Sequence, residues 1–294
     1  MLALEYSRRV FRGNGDNYIK PKYQCMKPPF FSIARFRGTV LEALFPQSCA
    51  LCGKILCEAG LKTGKNVFYG LCMSCREMLS VPAAERGRCS CCGQPLISEI
   101  GTCLPCRNGP PRSFNKVISL FPYMGRYKKI LGAYKFGKCL SLGNFFAEKL
   151  RQALPYFFNS EDSANQEKIN ELVWVPVPPR PGKIKHNGWD QIEYLAKLLS
   201  PGKLEKAAPE KDGISLPVHR LLVRLPSKSQ KELSREKRLE NLKGRIIVNN
   251  SAQIPKTAVL FDDVYTTGST IDACAAALKL AGTTKVYGVC LCYD

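Results

Sequence analysis

Two groups of residues in this sequence carry chemistry by type and spacing. The first is 259-VLFDDVYTTGST-270. An apolar run forms a strand, 257-TAVLFDD-263, that ends in Asp262 and Asp263, and the turn 264-VYTTGS-269 opens into a helix, 270-TIDACAAALKLA-281. A helix N-terminus exposes unpaired backbone N–H groups and the positive end of its dipole, so it receives phosphate. Gly268 lets the backbone approach an anion closely. The hydroxyls of Thr266, Thr267, Ser269 and Thr270 add neutral donors. Paired carboxylates at the end of a strand are poorly explained by packing. They suit a sugar diol, as the ribose-binding acid of a dinucleotide site does, and ligands of open α/β sheets bind at that edge. Both acids are therefore expected where the sheet meets solvent, outside the core.

The second group is a set of four C-x2-C pairs, Cys49/Cys52, Cys72/Cys75, Cys89/Cys92 and Cys103/Cys106. One such pair grips a tetrahedral Zn²⁺ with two thiolates at roughly 2.3 Å, and two pairs complete the coordination. Four pairs predict two zinc ions, both structural, because four thiolates leave no position for a substrate water. Pairing in sequence order, first with second and third with fourth, is preferred, and a cross-brace remains open. In 89-CSCC-92, Cys91 competes with its neighbours, but the three-residue spacing selects Cys89 with Cys92. The remaining cysteines, among them Cys290 and Cys292, read as core residues. His186 and His219 are the only two histidines, and neither has a metal-spaced partner.

The elements that must position these groups follow from periodicity. Residues 1–40 read as a basic, disordered extension, 41–108 as a loop-rich metal module, and 109-GPPRSFNK-116 as a linker. From 117 to 294, strands alternate with helices. Strands are expected at 117–123, 171–178, 219–225, 257–263 and 285–293, and helical spacing appears at 126–138, 139–157, 190–200, 231–245 and 270–281. That alternation predicts an α/β domain around a parallel sheet.

The chain has 294 residues, 45% of them hydrophobic, enough for a sizeable core. No stretch approaches the ~18 consecutive apolar residues of a membrane span. The N-terminal residues lack the apolar centre of a signal peptide, so a cytoplasmic location is expected. With 44 Lys+Arg against 24 Asp+Glu, the formal charge is +20, and a balance this basic points to an anionic partner.

The stretch around Asp262 resembles the signature of type I phosphoribosyltransferases, which bind phosphoribosyl pyrophosphate (PRPP). That resemblance implies that Asp262 and Asp263 hold the ribose hydroxyls and that Thr266, Thr267, Gly268, Ser269 and Thr270 hold the 5′-phosphate. Three further segments narrow it to the ComF family, the competence-type phosphoribosyltransferase-like proteins. They are 134-YKFG-137, 174-WVPVPPRPGKIKHNGWDQ-191 and 227-SKSQKELSREKRLENLKG-244. The second departs from the family's R-G-F-N-Q ending: Asn187 stands for Arg, Trp189 for Phe and Asp190 for Asn. Lys183 or Lys185 is then expected to supply the missing cation. Members of the family often begin with a zinc ribbon, which matches the cysteine pairs.

The resemblance implies a type I phosphoribosyltransferase-like parallel sheet with flanking helices, preceded by a small zinc-ribbon module. It also implies Mg²⁺ with PRPP, a diphosphate loop at 177–180, and a hood at 226–233. Arg180, Lys183, Lys185, Gln191 and Gln230 are the anion-binding candidates. Two functions stay open. One is transfer of phosphoribose to a nitrogen acceptor. The other is a DNA uptake or processing factor that uses the fold as a phosphate sensor, with single-stranded DNA and a DNA-translocating helicase as partners.

Overall fold

A strand buried on both faces reads as an unbroken apolar run; 172-LVWVP-176 is such a run, and 117-VISLFP-122 is broken only by Ser119. A computed structural model of the chain describes residues 47–56, 70–79, 87–157, 171–201, 216–226, 244–249 and 253–294. The extension 1–40, most of the hood, most of the helix expected at 231–245 and Gln230 lie outside the described residues, and Gly244 and Arg245, the last two residues of that expected helix, form a turn.

In chain order the described elements are α1 (Met73–Glu77), α2 (Leu104–Asn108), β1 (Lys116–Pro122), α3 (Gly125–Lys135), α4 (Leu142–Gln152), β2 (Leu172–Pro176), α5 (Lys183–Asn187), α6 (Gln191–Leu199), β3 (Leu222–Arg224), β4 (Ile246–Val248), β5 (Thr257–Tyr265), α7 (Ser269–Leu280) and β6 (Lys285–Tyr293). The main sheet is parallel throughout, in the order β1-β6-β5-β2. The two long strands lie at its centre, with Thr257 opposite Lys285 and Tyr265 opposite Tyr293.

Helices cover both faces. On one, Ile130, Leu131 and Tyr134 of α3, Phe145, Phe146 and Leu150 of α4, and Leu195 and Leu199 of α6 pack with Phe261 and Leu291. On the other, Ile271, Cys274 and Leu278 of α7 pack with Val117, Leu260 and Cys290. The α/β class read from the sequence is thus the class of the structure. Three local readings change. The helix expected over 139–157 stops at Gln152 and gives way to a 3-10 turn, Leu154–Phe157, because Pro155 has no N–H to continue it. The strand expected over 219–225 shrinks to β3, which pairs antiparallel with β4 in a ribbon apart from the main sheet. β4 itself is only three residues long, too short for a periodic signal.

The cysteine-rich segment packs on this body. Cys49 and Cys75 are buried with Leu142 and Phe145, and Cys89, Cys92 and Cys103 are buried with Val117, Val173 and Leu260. The Val117 N–H donates to the Cys91 carbonyl at 2.8 Å. Arg88 donates to the carbonyls of Gly93 at 2.7 Å and Ser119 at 3.2 Å.

Candidate functional site

The C-terminal ends of β2 and β5 open into a cavity of about 680 Å³. The loop after β2 brings Arg180, the start of α5 brings Lys183, and the end of β3 brings Arg224. Asp262 and Asp263 of β5 and the turn Thr266–Thr270 line the cavity too. Of the anion-binding candidates, Arg180, Lys183 and Gln191 line this cavity. Lys185 is not among its lining residues, and Gln230 lies outside the described residues.

The turn has the geometry that phosphate binding needs. Gly268 has φ +76° and caps α7 at its N-terminus. A Cβ there would overlap the Tyr265 hydroxyl and lie 2.7 Å from its Cζ. The Thr267 and Ser269 hydroxyls are 2.6 Å apart, so they hydrogen-bond across the turn. Behind it, Arg112 donates to the Thr267 carbonyl at 3.3 Å, and the Ser113 N–H donates to Asp272 in the first turn of α7 at 2.7 Å.

The acids differ from expectation. β5 does not end at Asp263 but runs two residues further, to Tyr265. Asp263 is consequently buried, at 7% exposure. Its Oδ2 accepts from Lys135 at 2.6 Å and from Gln191 Nε2 at 2.5 Å. The expectation that both carboxylates lie outside the core is corrected for Asp263, which ties α3 and α6 to the sheet. Asp262 is half-buried, and its Oδ1 accepts from the Asp263 N–H at 2.8 Å. The second oxygen of each carboxylate has no protein partner among the described residues.

Burial, and then the neighbouring charge of Asp263, push the Asp262 carboxyl up to about 7. Burial pulls the Lys135 ammonium down, but the Asp263 carboxylate outweighs it and the net shift is upward. Folded Asp262 keeps its proton to a higher pH than the unfolded residue, at ~3.9. Folding therefore takes up a proton in that window, and this contribution to stability is lost as pH rises from about 4 to about 7. Asp262→Asn should accordingly raise the melting temperature at pH 8 and change it little at pH 4. Thermal melts across that range check this, and parallel pH profiles for parent and variant would refute it. Asp263→Asn should instead lower stability, since Lys135 loses its carboxylate.

Sequence reasoning also missed cavity residues. Asp190, noted only as a departure from the family pattern, caps α6 by accepting from the N–H groups of Ile192 and Glu193. Its other oxygen accepts from Lys183 at 2.5 Å, and Lys183 also donates to Gln191. The D-Q-I start of an amphipathic helix was the signal for that cap. Arg224 carried no signal, because it ends a three-residue strand. Its Nε is buried with no partner among the described residues. Burial, then the charge of Arg180, pull its guanidinium below the ordinary arginine range, so the two cations face one cavity.

The cysteine pairs assemble in sequence order. Cys49, Cys52, Cys72 and Cys75 form one group, and Cys89, Cys92, Cys103 and Cys106 form the other, with the four sulfurs of each within 4.8 Å of one another. The Cys52–Cys72 and Cys92–Cys103 sulfurs are 3.8 Å and 3.6 Å apart. The edge of a ZnS4 tetrahedron with ~2.3 Å bonds is about 3.8 Å, so each group can hold a zinc ion. Cys91 stays outside the second group. Cys139, Cys274, Cys290 and Cys292 are buried core residues, as expected.

No family model matches the chain. Three bacterial proteins are similar to it. Competence protein ComFC of Streptococcus pneumoniae is 26% identical over 243 residues, 81% of this chain and 96% of that protein. Competence protein ComFC of Bacillus subtilis is 26% identical over 223 residues, 72% of this chain and 79% of that protein. Competence protein F of Haemophilus influenzae is 24% identical over 237 residues, 79% of this chain and 93% of that protein. No helix among the described residues is long and apolar enough to cross a membrane. The chain is thus similar along most of its length to these three competence proteins, and it carries two four-cysteine groups ahead of a parallel α/β sheet.

Proposed function

We propose that the protein is a competence factor, in keeping with the names of its relatives, and that its cavity binds PRPP. The observation that carries this reading is the pairing of Arg180 and Arg224 in one cavity with a glycine-containing helix N-terminus and two acids. The charge of Arg180 disfavours that of Arg224, and the Arg224 Nε is buried with no acceptor among the described residues, which is costly. A bound diphosphate relieves both. The turn Thr266–Thr270 would receive the 5′-phosphate, and the unpartnered oxygens of Asp262 and Asp263 would accept from the ribose diol. Mg²⁺ would arrive on the diphosphate, as this ion commonly does with nucleotide phosphates. The cations would also stabilise a departing pyrophosphate, which is the electrostatic contribution a transferase needs.

A formal charge of +20 supports a second activity, association with single-stranded DNA through phosphates. Calorimetric titrations with PRPP plus Mg²⁺ and with single-stranded DNA separate the two. PRPP should bind, and Arg224→Ala should weaken it by about tenfold or more, the loss of one charge-assisted contact. DNA affinity should fall steeply with salt and depend little on base sequence. A parent protein without PRPP affinity rejects the cavity reading, and a flat salt response rejects phosphate-driven DNA binding.

A further inference from the structure

Thr266 and Thr267 line the large cavity and also a second one of about 190 Å³. The second cavity is walled by Cys92, Cys103 and Cys106, with Arg112 and Tyr265. The turn between β5 and α7 and the second cysteine group therefore share one small space. Contacts cross from one to the other by two routes. Along the first, the Cys89 N–H donates to the Gln94 carbonyl at 2.8 Å, and Gln94 Nε2 donates to the Asp294 backbone oxygen at 3.3 Å. The Asp294 N–H then donates to the Tyr265 carbonyl at 3.0 Å. The Tyr265 hydroxyl sits against Gly268, where a Cβ would overlap it.

The second route runs through the stretch that reads as a linker. Pro110 and Pro111 fix φ on the path from Cys106 to Arg112. The Arg112 guanidinium donates to the Thr267 carbonyl at 3.3 Å, and the N–H of the next residue, Ser113, donates to Asp272 in the first turn of α7 at 2.7 Å. This segment is thus a strap over the turn and the start of the helix. The Arg112 Nε is buried with no partner among the described residues, which is costly. Zn²⁺ on four thiolates is a net anion, and a group of that charge beside the guanidinium would answer the unmet donor. At the other end of the strap, the Thr267 carbonyl belongs to the same peptide unit as the Gly268 N–H. A donor on that oxygen polarises the unit and strengthens the N–H toward an anion.

We infer that Arg112 is a positioning residue that links the second cysteine group to the turn, so that metal in the group and a phosphate on the turn strengthen each other. The phosphate half rests on the PRPP reading above, whereas the strap rests on the contacts of Arg112 and Ser113 with Thr267 and Asp272. Coupling between two sites is reciprocal: each ligand raises the affinity for the other by the same factor.

The test titrates ribose 5-phosphate into the full chain, loaded with zinc for calorimetry and with cobalt(II), whose thiolate complexes absorb visible light, for spectroscopy. The proteins are the parent, Arg112→Gln and Arg112→Lys, each checked for two metal equivalents. Ribose 5-phosphate should shift the cobalt absorption of the parent. In both variants that shift should vanish and the affinity should fall about tenfold, the loss of one charge-assisted contact. Lysine keeps the charge without the planar fork, so it separates a bridge from plain attraction between a cation and the phosphate. Hydrogen exchange supplies a reading that needs no ligand. The amides of 267–272 should exchange about tenfold faster in both variants, while those of 275–280 keep the parent's rates. If ribose 5-phosphate fails to bind the parent, the PRPP reading falls and the exchange rates alone decide the strap. If a variant fails to fold, the cobalt spectrum of the parent decides. Parent-like affinity in Arg112→Lys, an unshifted cobalt spectrum in the saturated parent, or parent-like exchange in both variants overturns the link.

Discussion

Cys89→Ser should reduce the zinc content from two equivalents per chain to one and destabilise the chain as a whole. A structural zinc site contributes roughly 10–16 kcal/mol of apparent binding energy, against a typical domain stability of about 5–15 kcal/mol. The site is not a detached bead. Cys89, Cys92 and Cys103 share a core with Val173, Leu260 and Leu278. From the sequence, 41–108 reads as a separate module, and damage there would be local. With a shared core the loss should spread, and the parent and variant should each melt in one transition, the variant far lower. Cys91→Ser is the control and should keep both zinc equivalents, since Cys91 belongs to neither four-sulfur group. Metal analysis and calorimetry on reduced protein decide the matter. Retention of both ions in Cys89→Ser, or an α/β body that melts at its original temperature, would sink the expectation.

Gly268→Val should abolish PRPP binding and lower stability by about 3 kcal/mol or more. Two costs combine. A β-branched residue is forced to φ +76°, which strains the backbone by about 1–3 kcal/mol. Its Cβ also meets the Tyr265 ring, which is buried and cannot swing away freely. The Gly268 carbonyl accepts from the Asp272 N–H at 2.9 Å, so any shift of the turn disturbs the start of α7. Gly282→Ala provides the comparison. It has φ +111° with nothing within 4 Å of a new Cβ, so it bears strain without collision and lies away from the cavity. Its stability loss should be the smaller, about 1 kcal/mol, and its PRPP affinity unchanged. Equal losses in the two variants would mean that Tyr265 yields, and the turn would then be less rigid than its contacts suggest.

The parallel sheet was legible because strands such as 172-LVWVP-176 have no polar break, and because 257–293 holds a strand, a turn, a helix and a strand in succession. The turn between β5 and α7 was legible because glycine and hydroxyl residues cluster where a strand meets a helix. The cysteine pairs followed from spacing, but spacing left a cross-brace open, and the fold groups them in sequence order. What stayed hidden depends on contacts between distant segments. Lys135 belongs to the family-like Y-K-F-G segment, but its partner Asp263 is set by how α3 crosses the sheet. Arg224 is brought to the cavity by a ribbon too short to have a period. Burial of Asp263 follows from two extra residues of pairing between β5 and β6, which no local pattern announces.

The hydrogen bond from Val117 to the Cys91 carbonyl bears on solubility. β1 is an outer strand of the main sheet, and an outer strand with open N–H and C=O groups is a template for pairing with another chain. The second cysteine group covers that rim, with Cys91 accepting from Val117 and Arg88 reaching Ser119. The opposite rim is closed too, since Trp174 donates to Pro217 at 2.9 Å and accepts from His219 at 2.8 Å. Metal bound at the second group would therefore hold a shield over a sticky edge. A chain stripped of that ion would present β1 to its neighbours, and clumping would accompany unfolding from its first stages.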